Sequence, residues 1–107
     1  MNSLTADANY DIIKKTVAHY FPDGKVILFG SRARGEQTND SDYDLLIITE
    51  NISDKSQRIK NRGKLNQTLA ANGIDADLII QSKQELGNNI NLIGHIVRYA
   101  VSEGVYL

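Results

Sequence analysis

Three aspartates stand where two apolar segments of the chain begin. Asp42 and Asp44 precede the apolar run 45–48, and Asp77 precedes the run 78–80. Because residues i and i+2 of a strand project to the same face, the first two carboxylates are expected to point to one place at the solvent end of a strand. If the two strands are neighbours, Asp77 joins them as a third acid.

A cluster of three carboxylates favours a bound cation. Two carboxylates about 4 Å apart repel by about 4 kcal/mol at an effective dielectric constant of about 20, so the cluster loses stability unless it is neutralised. Oxygen donors without sulfur suit Mg2+, with Mn2+ as the alternative. Because Mg2+ fills its remaining positions with water and nucleotide phosphates, the acids predict phosphoryl or nucleotidyl transfer. A solvated group of acids at strand starts is the alternative interpretation.

Gly30 and Ser31 follow another apolar segment, Lys25–Phe29. A glycine there allows a sharp turn and a close approach of a ligand to the backbone. The backbone amides and the Ser31 hydroxyl then become donors for phosphate oxygens. Arg32 and Arg34 add positive charge, for which phosphate contact, neutralisation of the acids and a solvated loop position all stay open.

Composition and local motifs exclude several other classes of protein. The chain has 107 residues, no cysteine and two histidines, which excludes a disulfide framework, a thiolate zinc site and a cysteine nucleophile. Glu36 and Gln37 stand where a P-loop needs Lys and Ser or Thr, and Leu45 and Asn51 stand where an EF-hand loop needs Gly and Glu. The net charge of −1 argues against general adhesion to nucleic acid.

Length and hydropathy predict one cytoplasmic domain. A chain of this size buries enough surface for a single core, so residues 1–107 are expected to form one domain. Because no apolar run approaches the roughly 20 residues of a membrane span, and the N-terminus has no basic region of a signal peptide, we expect no membrane association.

Hydrophobic periodicity predicts the elements that must position these residues. Helices are expected over 4–20, 52–72 and 91–103, with a short helix opened by a capping box of Ser82 and Glu85. Strands are expected over 25–29, 43–49 and 76–81, and residues 31–41 are expected to form a loop with one helical turn. The inward residues of the second helix are predicted to be Ile59, Leu65 and Leu69. This order predicts an α/β (α+β) fold, a three-layer or two-layer sandwich in which helices flank a small mixed sheet.

The order and spacing of the candidate residues resemble a known signature. Gly30-Ser31, ten intervening residues and Asp42-Tyr43-Asp44 are similar to the motif of the polymerase-beta-like nucleotidyltransferases. The string Gly-Ser-Arg-Ala-Arg-Gly … Ser-Asp-Tyr-Asp-Leu-Leu-Ile, within 30–47, resembles the minimal nucleotidyltransferase (MNT) branch. Many members of that branch are antitoxins encoded beside an HEPN-domain partner. The segment 76–79 looks like the one that supplies the family's third metal-binding acid.

The resemblance implies roles for the candidate residues. Gly30 and Ser31 would hold the β- and γ-phosphates of a nucleoside triphosphate, with Arg34 and Arg32 beside them. The implied metal ligands and catalytic acids are Asp42, Asp44 and Asp77. Two Mg2+ ions would stabilise the attacking and leaving oxygens while AMP moves from ATP to an acceptor.

The sequence leaves several acceptors and partners open. The first hypothesis is an antitoxin that transfers AMP to a tyrosine of its HEPN toxin. Its rivals are an antitoxin that acts by binding alone and a small-molecule nucleotidyltransferase completed by homo-oligomerisation. An RNA acceptor is a less favoured alternative. A helix rich in cations is expected to be a solvated face, with docking of an acidic partner or RNA as the alternative: Lys55, Arg58, Lys60, Arg62 and Lys64.

Overall fold

A four-stranded sheet with helices on both faces is formed by the part of the chain that the computed structural model describes, residues 8–36, 42–50, 54–89 and 94–107. In chain order its elements are α1 (Asn9–Tyr20), β1 (Lys25–Phe29), α2 (Gly30–Ala33), β2 (Tyr43–Thr49), α3 (Lys55–Ala71), β3 (Ala76–Ser82), α4 (Lys83–Asn89), α5 (Gly94–Glu103) and β4 (Val105–Tyr106).

The sheet is mixed, as the sequence predicts. Its strand order is β3-β2-β1-β4, with β2 and β3 parallel and the other two pairs antiparallel. A parallel pair needs a crossover connection, and the 17-residue helix α3 supplies it between β2 and β3. The starts of β2 and β3 therefore lie at the same end of the sheet as the end of antiparallel β1.

Two apolar layers cover the two faces of the sheet. On one face α1 and α3 pack through the buried residues Tyr10, Ile13, Val17, Leu65 and Leu69. On the other face α5 packs through Val97 and Ala100. Alternation along β2 sends Leu45 and Ile47 to the first layer and Leu46 and Ile48 to the second, so the strand is buried on both sides.

The predicted capping box is confirmed at the start of α4. The backbone amide of Ser82 donates to Glu85 Oε1 at 2.9 Å, and the amide of Glu85 donates to Ser82 Oγ at 3.0 Å. At the start of α3, Asp54 accepts from the amide of Ser56 at 3.1 Å. Both helices therefore begin where side chains satisfy amides that lack a partner within the helix.

The prediction that Ile59 faces the core is wrong, because its side chain is 64% exposed. Leu65 is fully buried, and six residues of helix turn through about 600°, which places Ile59 about 120° away from it. Arg58, which is half-buried, lies on the inner side of α3, and Arg62, although exposed, reaches the edge of the sheet. The Arg62 Nε atom donates to the carbonyl oxygen of Leu78 at 3.1 Å, at the outer edge of β3.

Strand β4 was not among the predicted elements. It has only two residues, which is too short for an alternating pattern, and it pairs with Ile27 and Leu28 of β1. Gly104 precedes it, and an added Cβ there would collide with backbone oxygens of Leu28 and Ala100. Gly104 therefore allows the chain to approach β1 closely.

Other predicted positions lie outside the described residues. They are the start of the first helix at Leu4, the loop residues 37–41, the start of the second helix at Ile52, and the start of the last helix at 91–93. Among the described helices, none has the length and apolar character that crossing a bilayer requires.

Candidate active site

The sheet register brings the ends of three strands together at one point. Asp44 of β2 is the Cα partner of Asp77 on β3 and of Phe29 on β1. Phe29 is followed directly by Gly30, the first residue of α2. Asp44 therefore lies between Asp77 and the glycine loop. Strands β2 and β3 are neighbours, which is the condition under which the sequence predicted that Asp77 joins the other acids.

Gly30 makes room for the carboxylate of Asp44. Its φ of +74° lies in the left-handed region, which residues with a Cβ rarely adopt. A Cβ added at Gly30 would overlap Oδ2 of Asp44. Backbone conformation and space thus both require glycine at the point where β1 passes into α2.

The surroundings of Asp44 disfavour its ionised form. Partial burial raises the pKa of Asp44 above its ordinary value, and the negative charges of Asp77 and Asp42 raise this pKa further. The positive charge of Arg34 acts in the opposite direction. Asp42 and Asp77 themselves are exposed. The two exposed acids therefore both repel the negative charge of Asp44.

These carboxylates fit a divalent cation in donor type and in placement. All the donors are oxygens, and the two neighbouring strands hold Asp44 and Asp77 side by side. As the side chains lie, no three His, Cys, Asp or Glu residues in the described parts of the chain converge closely enough to hold one ion together. The fit to Mg2+ therefore rests on the donor type and on the pairing of Asp44 with Asp77.

Ser31 lies in α2, the single helical turn predicted within this loop. The turn is closed by the amide of Arg34, which donates to the carbonyl of Gly30 at 3.2 Å. The amide of Glu36 donates to the carbonyl of Ser31 at 2.9 Å, which extends the turn. Ser31 is half-buried beside Gly30, one residue from the contact with Asp44.

The two arginines of the loop point to different neighbours. Arg34 donates from Nε to Glu36 Oε2 at 2.9 Å and is the cation that acts on Asp44. The guanidinium of Arg32 lies over the ring of Tyr43, 3.9 Å from its centroid. These contacts do not test the phosphate contact predicted for the two arginines, which therefore stays a prediction.

Tyr43 packs on the face of β2 opposite to Asp44, as the alternation of the strand predicts. It is buried in the α1–α3 layer, and its hydroxyl accepts a hydrogen bond from Asn9 Nδ2 at 3.0 Å. The ring of Tyr10 meets it edge-on, with the centroids 6.2 Å apart. The contribution of Asn9 and Tyr10 was missed in the sequence, because neither residue stands in a motif.

The cation-rich helix α3 divides into two sides. Arg58 binds both carboxylate oxygens of Glu85, with Nη2 donating to Oε2 at 3.1 Å, and Arg62 binds the edge of β3. Lys55, Lys60 and Lys64 are exposed. Two of the five cations therefore bind other parts of the protein. The exposure of the three lysines fits both a solvated face and a docking face, so the solvated face stays a prediction.

A family model and several solved structures match the chain. The model of the nucleotidyltransferase domain matches residues 11–107. No curated protein sequence matches significantly. A nucleotidyltransferase structure from Sulfolobus solfataricus, whose function is assigned provisionally, is similar with a TM-score of 0.59 and 24% identity, over 91% of this chain and 74% of the other.

Two similar structures come from toxin–antitoxin complexes. One, crystallised with AMP-PNP, has a TM-score of 0.62 and 25% identity, over 92% of this chain and 71% of the other. The second is a mutant of the toxin–antitoxin MntA-HpeT, in which two aspartates two positions apart are replaced by glutamate. It has a TM-score of 0.59 and 21% identity, over 90% of this chain and 69% of the other.

Proposed function

The chain belongs to the nucleotidyltransferase domain family, and from that membership we propose that it transfers AMP from ATP to a hydroxyl group of a partner protein. The observation that carries the proposal is the register of β2 and β3, which sets Asp44 beside Asp77 with Gly30 against the Asp44 carboxylate. This chemistry needs acids and backbone amides at one place, and the register brings the acids and the turn to the same end of the sheet.

The nucleotide is assigned to the end of β1. The amides of α2 and the hydroxyl of Ser31 bind the β- and γ-phosphates. Asp42 and Asp44 would together hold two Mg2+ ions, and Asp77 would hold one of them. When bound, such ions stabilise negative charge on both oxygens of an in-line displacement.

The transfer step is a substitution at the α-phosphorus. The acceptor hydroxyl oxygen bonds to this atom while the bond from the α-phosphorus to the oxygen that bridges to the β-phosphate breaks. Pyrophosphate leaves, and AMP remains on the acceptor as a phosphodiester. The hydroxyl proton passes to the carboxylate of Asp77, whose exposed position lets it release that proton to solvent.

The acceptor we propose is a tyrosine of an HEPN-domain toxin, which the transfer inactivates. Two observations support an antitoxin role: the similarity to chains of toxin–antitoxin complexes, and the presence of AMP-PNP in the complex at 25% identity. The exposure of Asp42 and Asp77 also suits an acceptor carried on a large partner. The cytoplasmic location predicted from the sequence is part of this proposal.

Co-expression with the product of the adjacent reading frame tests the proposal. Intact-mass spectrometry of that product should show one or more added AMP groups with the natural chain and none with Asp44→Asn. Lys60→Met, a change on the solvated side of α3, is the matched control and should leave the modification in place. An unmodified partner with the natural chain contradicts the proposal. If Asp44→Asn still neutralises an unmodified toxin, the chain acts by binding alone.

A further inference from the structure

Helix α2 is too short to hold its own conformation. It has four residues, Gly30–Ala33, and one helical turn costs more backbone entropy than its hydrogen bonds return. Its position against Asp44 must therefore come from contacts with the rest of the protein. Ala33 supplies one of them, packing against the α1–α3 layer. The guanidinium of Arg32, 3.9 Å above the centroid of the Tyr43 ring, supplies another.

Tyr43, the partner of Arg32 in this contact, is itself held by buried and half-buried neighbours. Its side chain is 4% exposed, its hydroxyl accepts from Asn9, and the ring of Tyr10 stands against it at an interplanar angle of 86°. A planar guanidinium stacked over an aromatic face is attracted by the ring quadrupole. Because Tyr43 lies between Asp42 and Asp44 in the chain, whatever is fixed to its ring is fixed relative to both acids.

Arg32 and Asp44 lie on opposite faces of β2. Tyr43 faces the α1–α3 layer, whereas Asp44 projects to the opposite face of β2. Arg34, and not Arg32, is the loop cation that acts on the charge of Asp44. Arg32 and Arg34, although separated by only one residue, therefore interact with different groups.

We propose that Arg32 and Tyr43 form a positioning pair that fixes the phosphate-binding turn α2 relative to the acids of β2. Arg32 does not contact the nucleotide in this assignment. It acts through the ring of Tyr43, so that the amides of α2 and the Ser31 hydroxyl keep a fixed distance from Asp44 before any ligand arrives.

Hydrogen exchange without nucleotide gives the first test, which is independent of the proposed function. The amides of Arg34 and Glu36 donate within the turn and report on its opening. In Arg32→Met their exchange should quicken by about three- to thirtyfold, the factor to which a cation–π contact converts. The exchange rate in α3 should stay at its natural value. Unchanged exchange at these two amides overturns the proposal.

A double-mutant cycle on nucleotide affinity gives the second test, and this arm rests on the proposed function. Calorimetry with AMP-PNP and Mg2+ should show weaker binding in Arg32→Met and in Tyr43→Leu. The double variant should bind no more weakly than the weaker single variant. Lys60→Met, a loss of one exposed cation, serves as control and should bind as the natural chain does. Multiplied losses in the double variant mean that Arg32 contacts phosphate directly, which overturns the proposal.

The two arms separate failure of this inference from failure of the proposed function. If the natural chain does not bind AMP-PNP with Mg2+, or if Asp44→Asn binds it equally well, the proposed function fails while the exchange result still decides the role of Arg32. If Tyr43→Leu does not fold, as judged by circular dichroism, the exchange of Arg32→Met decides the proposal alone.

Discussion

Asp44 is a carboxylate whose neighbours oppose its ionised form. It is partly buried, it faces two like charges from Asp42 and Asp77, and Arg34 offsets only part of this. Residues of this kind often perform chemistry, because perturbed titration concentrates where function requires it. In the proposed function the bound cations compensate the repulsion that the fold creates.

Replacing Asp44 by asparagine should separate activity from stability. We expect Asp44→Asn to lower the rate of nucleotidyl transfer by about a hundredfold or more, the scale of losing one preorganised electrostatic group. The free energy of unfolding in metal-free buffer should rise at pH 7, because the repulsion is relieved. Urea unfolding and a transfer assay on the same preparations measure both quantities. A variant that transfers AMP at the natural rate contradicts the assignment.

The pH dependence of that stability gain follows from the direction of the pKa shift. The pKa of Asp44 is raised above its ordinary 3.8, so the folded state keeps its proton to higher pH than the unfolded chain. Its contribution to stability is therefore present below pH 3.8 and is lost as the pH rises through the raised value. The advantage of Asp44→Asn should accordingly be present at pH 7 and shrink towards pH 4. An advantage that is constant between these two pH values contradicts this electrostatic account.

Gly30 and Gly73 form a matched pair for testing the turn against Asp44. Both have positive φ, +74° and +76°, but an added Cβ meets Asp44 at Gly30 and finds no described atom within 4 Å at Gly73. Gly73→Ala should cost about 1 kcal/mol, from backbone strain alone. Gly30→Ala should cost about 2–4 kcal/mol, because overpacking against the carboxylate is added. Chemical unfolding measures both, and equal costs contradict the close approach.

Strands β1, β2 and β3 were predictable because each is an apolar segment bounded by turn residues. The capping box of α4 was also predictable, since Ser82 and Glu85 carry it at a fixed spacing. What the sequence left conditional was the pairing of β2 with β3, on which the meeting of Asp44 and Asp77 depends. Pairing between distant segments is a property of tertiary packing, which local patterns do not contain.

The misassigned residues of α3 also show that local sequence patterns do not contain tertiary contacts. Ile59 is apolar, yet it stands outside the stripe that Leu65 and Leu69 define. Arg58, which a hydrophobic pattern assigns to solvent, has a side chain only 14% exposed and binds Glu85. Long cationic side chains can line a buried face with their aliphatic stems, so polarity alone gives the wrong side of the helix.

The ion pair between α3 and α4 should contribute measurably to stability. Arg58 and the amide of Ser82 lower the pKa of Glu85 from 4.5 to about 2. Glu85→Gln should therefore lower the free energy of unfolding at pH 7 by about 2 kcal/mol, the scale of hydrogen bonds to a charged group. The exposed pair of Lys83 with Glu50 provides the control, and Glu50→Gln should lower the free energy of unfolding far less than Glu85→Gln does.

The contribution of Glu85 to stability should depend on pH with the opposite sign to that of Asp44. Because the folded pKa of Glu85 is depressed, its contribution is complete above pH 4.5 and is lost as the pH falls towards about 2. Urea unfolding between pH 7 and pH 3 should show Glu85→Gln approaching the natural chain at the acid end. A difference that persists undiminished at pH 3 contradicts the ion pair as its cause.

Across the whole described part of the protein, one end of the sheet gathers the acids and the glycine turn. The helices α1 and α3 form the opposite layer from α5, and neither layer contains the three aspartates. Asp42 and Asp77 are exposed at this end, so an acceptor group on a second protein can reach them. The family's transfer chemistry therefore has an accessible place in this fold.

A crystal structure of the chain grown with Mn2+ and AMP-PNP would test the site most directly. Mn2+ replaces Mg2+ among oxygen ligands, and its anomalous scattering identifies its position. The site assignment predicts manganese peaks at the carboxylates of Asp42, Asp44 and Asp77, with the β- and γ-phosphates on the amides of Gly30 and Ser31. Manganese or triphosphate bound elsewhere, with these carboxylates free of metal, would contradict it.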